Sequence, residues 1–265
     1  GGEVQAAVLN NIGDVYRDLG DREKAERYYR DALAALEKRG ETKGAAHVRE
    51  TLAELALDYG DARTARPLLE DALRTYRAAD KRTFMLRAYA GLIRTALQEG
   101  DTAAAQRWSA DAFAVADAHH LPLPASLQRE AARVDRALGR LDAAETRLRQ
   151  ALAALPESDA DRASLLEALA ETQDAQGRHA AAFATLREAH AQAERLSQAR
   201  HDRQLDWLRT RFETAERDRT IAALETENRL RRAEVRQRTL LLWLTLAVAV
   251  SVALLIWTGL QRRRQ

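Results

Sequence analysis

The chain has 265 residues, a formal net charge of +2 and no cysteine. A balance that close to zero gives no bulk attraction for nucleic acid, and without cysteine there is neither a disulfide framework nor a thiolate site. Four prolines among abundant Ala, Leu, Arg and Glu mark an all-α protein, long enough to bury a core. The sequence opens Gly1-Gly2-Glu3, with no Met and no secretory leader, and on that ground is expected to be a fragment or a processed chain.

Apolar periodicity and turn residues place helix pairs at about 3–18/21–38, 41–58/61–79, 82–98/101–118, 124–138/141–154 and 160–175/178–199. Each pair turns on a glycine: Gly20, Gly60, Gly100, Gly139 and Gly177, spaced 40, 40, 39 and 38 residues apart. Glycine accepts the left-handed conformation that closes a helix. Asp21, Asp61 and Asp101 follow as caps for the next helix. Ala25, Ala65, Ala105, Ala144 and Ala182 recur at one offset, and Ala32, Ala72, Ala112, Ala151 and Ala189 at another. Small residues at fixed places let two helices approach, and neither helix of a pair buries its apolar face alone, so pairs must stack. Pro67 falls in the early turns of its helix, and Leu121-Pro122-Leu123-Pro124 and Pro156 mark breaks around the fourth pair. The aromatics Tyr16, Tyr28, Tyr29, Tyr76, Tyr89, Trp108, Phe113 and Phe183 fall mostly at core spacing and read as packing.

Leu9, Ile12, Gly13, Tyr16, Gly20, Ala25, Tyr29 and Ala32 together resemble the tetratricopeptide repeat. Later repeats keep the turn glycine and the two alanines, and lose the early glycine and most of the tyrosines. The resemblance covers about residues 3–197, with a period near 40 rather than about 34, so helices or turns must be longer. It implies a right-handed α-solenoid of five helical hairpins, whose concave groove binds peptides or proteins and performs no catalysis. The family's inward positions fall here on Asn10, Asp14 and Arg17; Glu50, Glu54 and Asp58; Arg87 and Arg94; Arg129, Arg133 and Arg136; and Glu167, Glu171 and Asp174. That groove would run acidic, then basic, then acidic, suiting a partner with an acidic segment between basic ones. The plainer reading is a set of solvated faces paired at i,i+4. The Lys and Asn pattern that clamps a C-terminal carboxylate in some members is missing.

Residues 200–238 hold no glycine or proline and read as one charged helix with a narrow seam: Leu205, Leu208, Phe212 and Ala215, then, after a phase shift, Ile221, Leu224, Asn228 and Val235. Such a seam suits a partner helix, here a homodimer, with a lone exposed helix as the alternative. Within 239–260, the run Leu240–Leu260 carries no charge, has Trp243 and Trp257 near its ends and is flanked by arginines, with a basic tail at 261–265. About 20 apolar residues span a bilayer, which a buried core helix does not require. A repeat domain over 1–199, a charged helix and one span resemble the input half of bacterial membrane sensors. Those proteins hold tetratricopeptide repeats outside the inner membrane, and a diguanylate cyclase or histidine kinase domain follows the span. That implies a ligand- or protein-binding sensor with periplasmic repeats; the alternative is a membrane-tethered scaffold. Arginines on both sides of the span leave its direction open. His47, His119, His120, His179, His190 and His201 make no metal-ligand spacing, and no phosphate loop or nucleophile motif is present, so no cofactor and no reaction are expected.

Overall fold

The computed structural model describes residues 2–199, with side chains from residue 6 onward. The chain divides into two units, Gly1–Leu196 and Ser197–Gln265. The expected 200–238 helix, with its seam from Leu205 to Val235, and the apolar run Leu240–Leu260 lie outside the described residues. Within those residues, no helix is long and apolar enough to cross a membrane.

Among the described residues ten helices follow one another: α1 Gly2–Asp18, α2 Arg22–Lys38, α3 Thr42–Asp58, α4 Ala62–Ala78, α5 Arg82–Gln98, α6 Thr102–Ala118, α7 Ala125–Ala137, α8 Leu141–Ala154, α9 Asp161–Ala175 and α10 over 179–199. The first six helices are 17 residues each and their turns are three residues, so the long repeat period comes from longer helices. α1, α3, α5 and α7 each pack on the even helix that follows, and α2, α4, α6 and α8 each pack on the next odd helix. The odd helices α3, α5, α7 and α9 also touch in succession. This is a stack of helical hairpins.

The turns explain the regularity. Gly20, Gly60, Gly100, Gly139 and Gly177 all have φ near +75°, between 74 and 78. The turns between hairpins take the same shape, with Gly40 at φ 69 and with Asp80 and His120 both at φ 51. A non-glycine residue there is strained by its Cβ. His120→Gly is therefore expected to stabilise the fold by roughly 0.5–1 kcal/mol, the relief exceeding the entropy gained by the unfolded chain. The thermal midpoint of the full chain in detergent checks this.

Asp21, Asp61 and Asp101 cap α2, α4 and α6, accepting from the backbone N–H of Lys24 at 3.1 Å, Thr64 at 3.1 Å and Ala104 at 2.8 Å. The Asp21 carboxyl is held below its usual range by Lys24 and that of Asp61 by Thr64. Ala25, Ala65, Ala105 and Ala144, and their partners Ala32, Ala72, Ala112 and Ala151, are buried where the helices of each hairpin meet. Gly13 has no room for a side chain, because a Cβ there would lie 2.4 Å from the Tyr29 ring. In the equivalent positions of later hairpins the sizes trade: Ala53 with Leu69, Ile93 with Ser109 and Ala132 with Leu148, all buried. Leu121 and Leu123 of the proline-rich break pack against the central core, so the break is an anchored loop.

Two edges depart from expectation. Val8 and Val15 are 48% and 57% exposed, although the same positions in the next hairpin, Val48 and Leu55, are buried. Among the described residues no hairpin precedes α1 to cover them. Phe183, expected as packing, is 65% exposed. Its equivalents Glu26, Arg66, Gln106 and Glu145 are polar, so the position belongs to an outer face, not to the core.

Hairpins four and five are joined by Glu145 on α8. It accepts from Arg149 Nε at 2.9 Å, from Gln176 Nε2 at 3.2 Å and from Arg178. Burial alone would raise this carboxyl, but those hydrogen bonds outweigh it and hold it below its ordinary 4.5. A depressed folded value stabilises fully above the unfolded value and is lost as pH falls through the folded one. The thermal midpoint should therefore decline as pH drops below about 4.5, and less steeply in Glu145→Gln. Parallel curves for the two proteins would refute the assignment.

Candidate functional site

The expected groove positions lie on one face of the odd helices, and besides pairs along a helix, such as Asn10 with Asp14, several of them pair between helices. Arg17 on α1 reaches α3, with Nη2 2.6 Å from Asp58 and Nη1 3.2 Å from Glu54. Burial would lower its pKa, but the two carboxylates outweigh that and raise it above the ordinary arginine value. From the other side Arg94 on α5 places Nη1 3.0 Å from Asp58 and donates through Nη2 to the Leu57 carbonyl at 3.0 Å. Gln98 donates to that carbonyl at 2.9 Å. Two arginines from neighbouring hairpins thus share one carboxylate on the hairpin between them.

Glu50 and Glu130 lie beneath this face, each 1% exposed. A buried carboxylate persists only when paired and hydrogen-bonded. Glu50 on α3 accepts from the Tyr76 hydroxyl at 2.9 Å and lies 3.0 Å from Arg87 Nε on α5. Glu130 on α7 accepts from Arg129 Nε at 2.8 Å and Arg133 Nη1 at 3.2 Å. Arg136 Nη1 is 2.7 Å from Glu171 on α9. Burial and the adjacent carboxylates push the Tyr29 and Tyr76 phenols well above their usual value, Tyr29 through its 2.7 Å hydrogen bond to Asp14 and Tyr76 through Glu50.

The structure gathers Arg17, Glu54, Asp58, Arg87, Arg94 and Arg129 around one depression of about 320 Å³. Arg133, Arg136 and Glu171 continue the same network toward α9, while Asn10 and Asp14 belong to its α1 end. Glu167 is exposed, and Asp174 pairs with His179 at 2.7 Å, so these two stand apart from the network. The acidic and basic blocks read from sequence therefore largely neutralise each other across hairpins. What remains is donor capacity. Arg129 hydrogen-bonds its buried carboxylate through Nε, Arg87 forms an ion pair with its own through Nε, and among the described residues neither donates a hydrogen bond from its terminal nitrogens. A guanidinium fixed from below in this way is preorganised to receive a carboxylate from above.

Sequence reasoning missed Glu130, Tyr76 and Gln98. Glu130 sits in an apolar stripe with Leu127 and Val134, and a lone acid in such a stripe, next to Arg129 and near Arg133, was its available signal. Gln98 had none, because its partner is a backbone carbonyl one hairpin away. Among the described residues, no group of three His, Cys, Asp or Glu side chains could hold a metal ion.

The tetratricopeptide repeat family model matches residues 4–78. The fold is that of a tetratricopeptide repeat protein. Solved structures extend the likeness along the stack. A thermophilic tetratricopeptide repeat protein of Thermus thermophilus is 26% identical, with a TM-score of 0.52 over 74% of this chain and 96% of that one. RapI in its apo form is 13% identical, with a TM-score of 0.55 over 75% of this chain and 73% of that one. The Rap conjugation gene regulator of plasmid pLS20, solved in complex with the Phr* peptide, is 15% identical, with a TM-score of 0.63 over 75% of this chain and 57% of that one. No curated protein matches the sequence.

Proposed function

We propose that the hairpins are a peptide- or protein-binding module whose receiving surface is the arginine–carboxylate face of α1, α3, α5 and α7. The observation that carries this reading is the pair Arg87 and Arg129, each held through Nε by a buried carboxylate and each lining the same depression. The fold is shared with a regulator solved with a peptide, which supports the same direction. A protein that kept these charges only for solubility would not bury two carboxylates to orient them. The fitting partner offers an acidic side chain toward Arg87 and Arg129.

In this proposal the module is the input of a membrane signalling protein. Residues 200–238 form a dimeric helix that passes a movement to the span at Leu240–Leu260, and a cyclase or kinase output beyond it responds. The charge-free run and its arginine flanks support the tether. A ligand would act by favouring one arrangement of that helix pair over another. The repeats would then be periplasmic. A cysteine at Asp80, in an exposed turn, should be labelled by an impermeant reagent in intact cells. Labelling only after lysis would favour the tethered scaffold instead.

The binding claim is tested by selecting random linear peptides on the full chain in detergent, then measuring their affinity for Arg129→Ala. Glu130 keeps Arg133 in that variant, so the fold should hold. Affinity should fall about tenfold or more, as for a charge-assisted hydrogen bond worth roughly 1.5–3 kcal/mol. Unchanged affinity, or no peptide selected, would remove the reading.

A further inference from the structure

Within a stack of repeats each hairpin is covered by its neighbours, and the two outermost faces are ordinarily polar so that the stack stays soluble. Here both ends are apolar. At the head, Val8 and Val15 on α1 are exposed. At the same two places on α3, α5, α7 and α9, from Val48 and Leu55 to Leu165 and Thr172, every residue is buried. At the tail, Leu186 on α10 is 38% exposed, whereas Tyr29, Leu69, Ser109 and Leu148 at its place on the earlier even helices are buried. Phe183, one turn before it, is also open to solvent.

The two ends are the two halves of one kind of junction. Between α2 and α3, Tyr29 and Leu36 share a buried cluster with Val48 and Leu55. Between α8 and α9, Leu148 shares one with Leu165. Leu186 stands where Tyr29 and Leu148 stand, and Val8 where Val48 and Leu165 stand. The rim matches as well. Glu26 of α2 borders a hollow with Leu52, Leu55 and Leu68 of the next hairpin. Phe183 holds the place of Glu26, and Ile12, Val15 and Tyr28 hold the places of those three leucines. An apolar tail residue thus replaces a charged one where the facing side chains are apolar, a substitution that favours contact over hydration.

We infer that the tail of one copy stacks on the head of another, so that α10 of the first meets α1 of the second as α2 meets α3 within one chain. A second copy is the partner that fits. It offers its apolar groups in the spacing that the four internal junctions, α2 on α3 to α8 on α9, already accept. Each copy has one head and one tail, so the contact is heterologous and builds a chain or a closed ring rather than stopping at a pair. The internal junctions leave the arginine–carboxylate depression open, so this contact is independent of the peptide-binding reading.

The chain has no cysteine, so introduced thiols report without background. Val15→Cys and Phe183→Cys change exposed places and leave the core intact. A tagged Val15→Cys protein and an untagged Phe183→Cys protein, both full chains in detergent, should be joined by a short bis-maleimide. The yield should rise with concentration and exceed that of Val15→Cys joined to itself. In sedimentation, the parent should form species larger than a dimer as its concentration rises. Phe183→Arg supplies the residue type that Arg66 provides at the same place in hairpin two, so its thermal midpoint should match the parent's. It should weaken formation of the larger species by about 10–100-fold, the worth of one buried aromatic side chain. No mixed product at any concentration, or Val15→Cys joined to itself as readily as to Phe183→Cys, would overturn the inference. So would a parent that keeps one size at every concentration, or a Phe183→Arg protein that associates as the parent does.

Discussion

Gly13→Val is expected to cost about 3 kcal/mol, at the upper end of what overpacking a core costs. The position tolerates no Cβ, because the Tyr29 ring would lie 2.4 Å away at Cε1 and 2.5 Å at Cδ1. The ring cannot retreat. Tyr29 is fully buried, and its hydroxyl is tied to Asp14 at 2.7 Å. Valine is chosen because its helix propensity is close enough to that of glycine to leave the clash as the main term. Combining it with Tyr29→Ala should recover part of the loss, a coupling that only contacting residues show. In a stack whose units touch only their neighbours, the damage should stay local. Hydrogen exchange should accelerate in α1 and α2 and remain slow in α5 to α9. Uniform acceleration along the stack would contradict this picture.

Glu50→Ala should cost roughly 2–3 kcal/mol. Two groups lose a partner. The Tyr76 hydroxyl, on a side chain 2% exposed, becomes a buried donor without an acceptor. Arg87 is more than a third exposed and turns to water, so its share is small. Glu50→Gln keeps an acceptor for Tyr76 and should cost no more than about 1 kcal/mol. With the nearby negative charge gone, the Tyr76 phenol should ionise at lower pH in both variants, as its ultraviolet titration would report. An unchanged titration would mean that burial alone raises it.

Much of the fold was legible because its signals are local. A glycine that closes a helix, an aspartate that opens the next one and alanines at a constant offset all act within a few residues of their own position. The expected and observed bounds of α2, 21–38 against Arg22–Lys38, differ only at the cap. The turns between hairpins were placed within about a residue by the helical periodicity, but their shared conformation was not legible. Gly40, Asp80 and His120 occupy the same left-handed turn, but share no residue type that a pattern could follow. The charged positions of the first-helix face were visible in the sequence, but their pairing was not. Arg17 and Asp58 are 41 residues apart, and nothing at either place says that stacking brings them to 2.6 Å. Arg129 and Arg133 pointed to a basic groove, whereas the buried Glu130 beneath them neutralises part of it and fixes their direction. The exposure of Val8 and Phe183 depends on which neighbour is stacked beside them, and periodicity within one helix carries no such information.

Hydrogen exchange of the full chain in detergent, with and without a selected peptide, tests the binding face most directly. The proposed site predicts slowed exchange in α1, α3, α5 and α7, strongest around Asn10, Asp58, Arg94 and Arg129. Protection confined to α2, α4, α6 and α8 would place the ligand on the opposite face and contradict it.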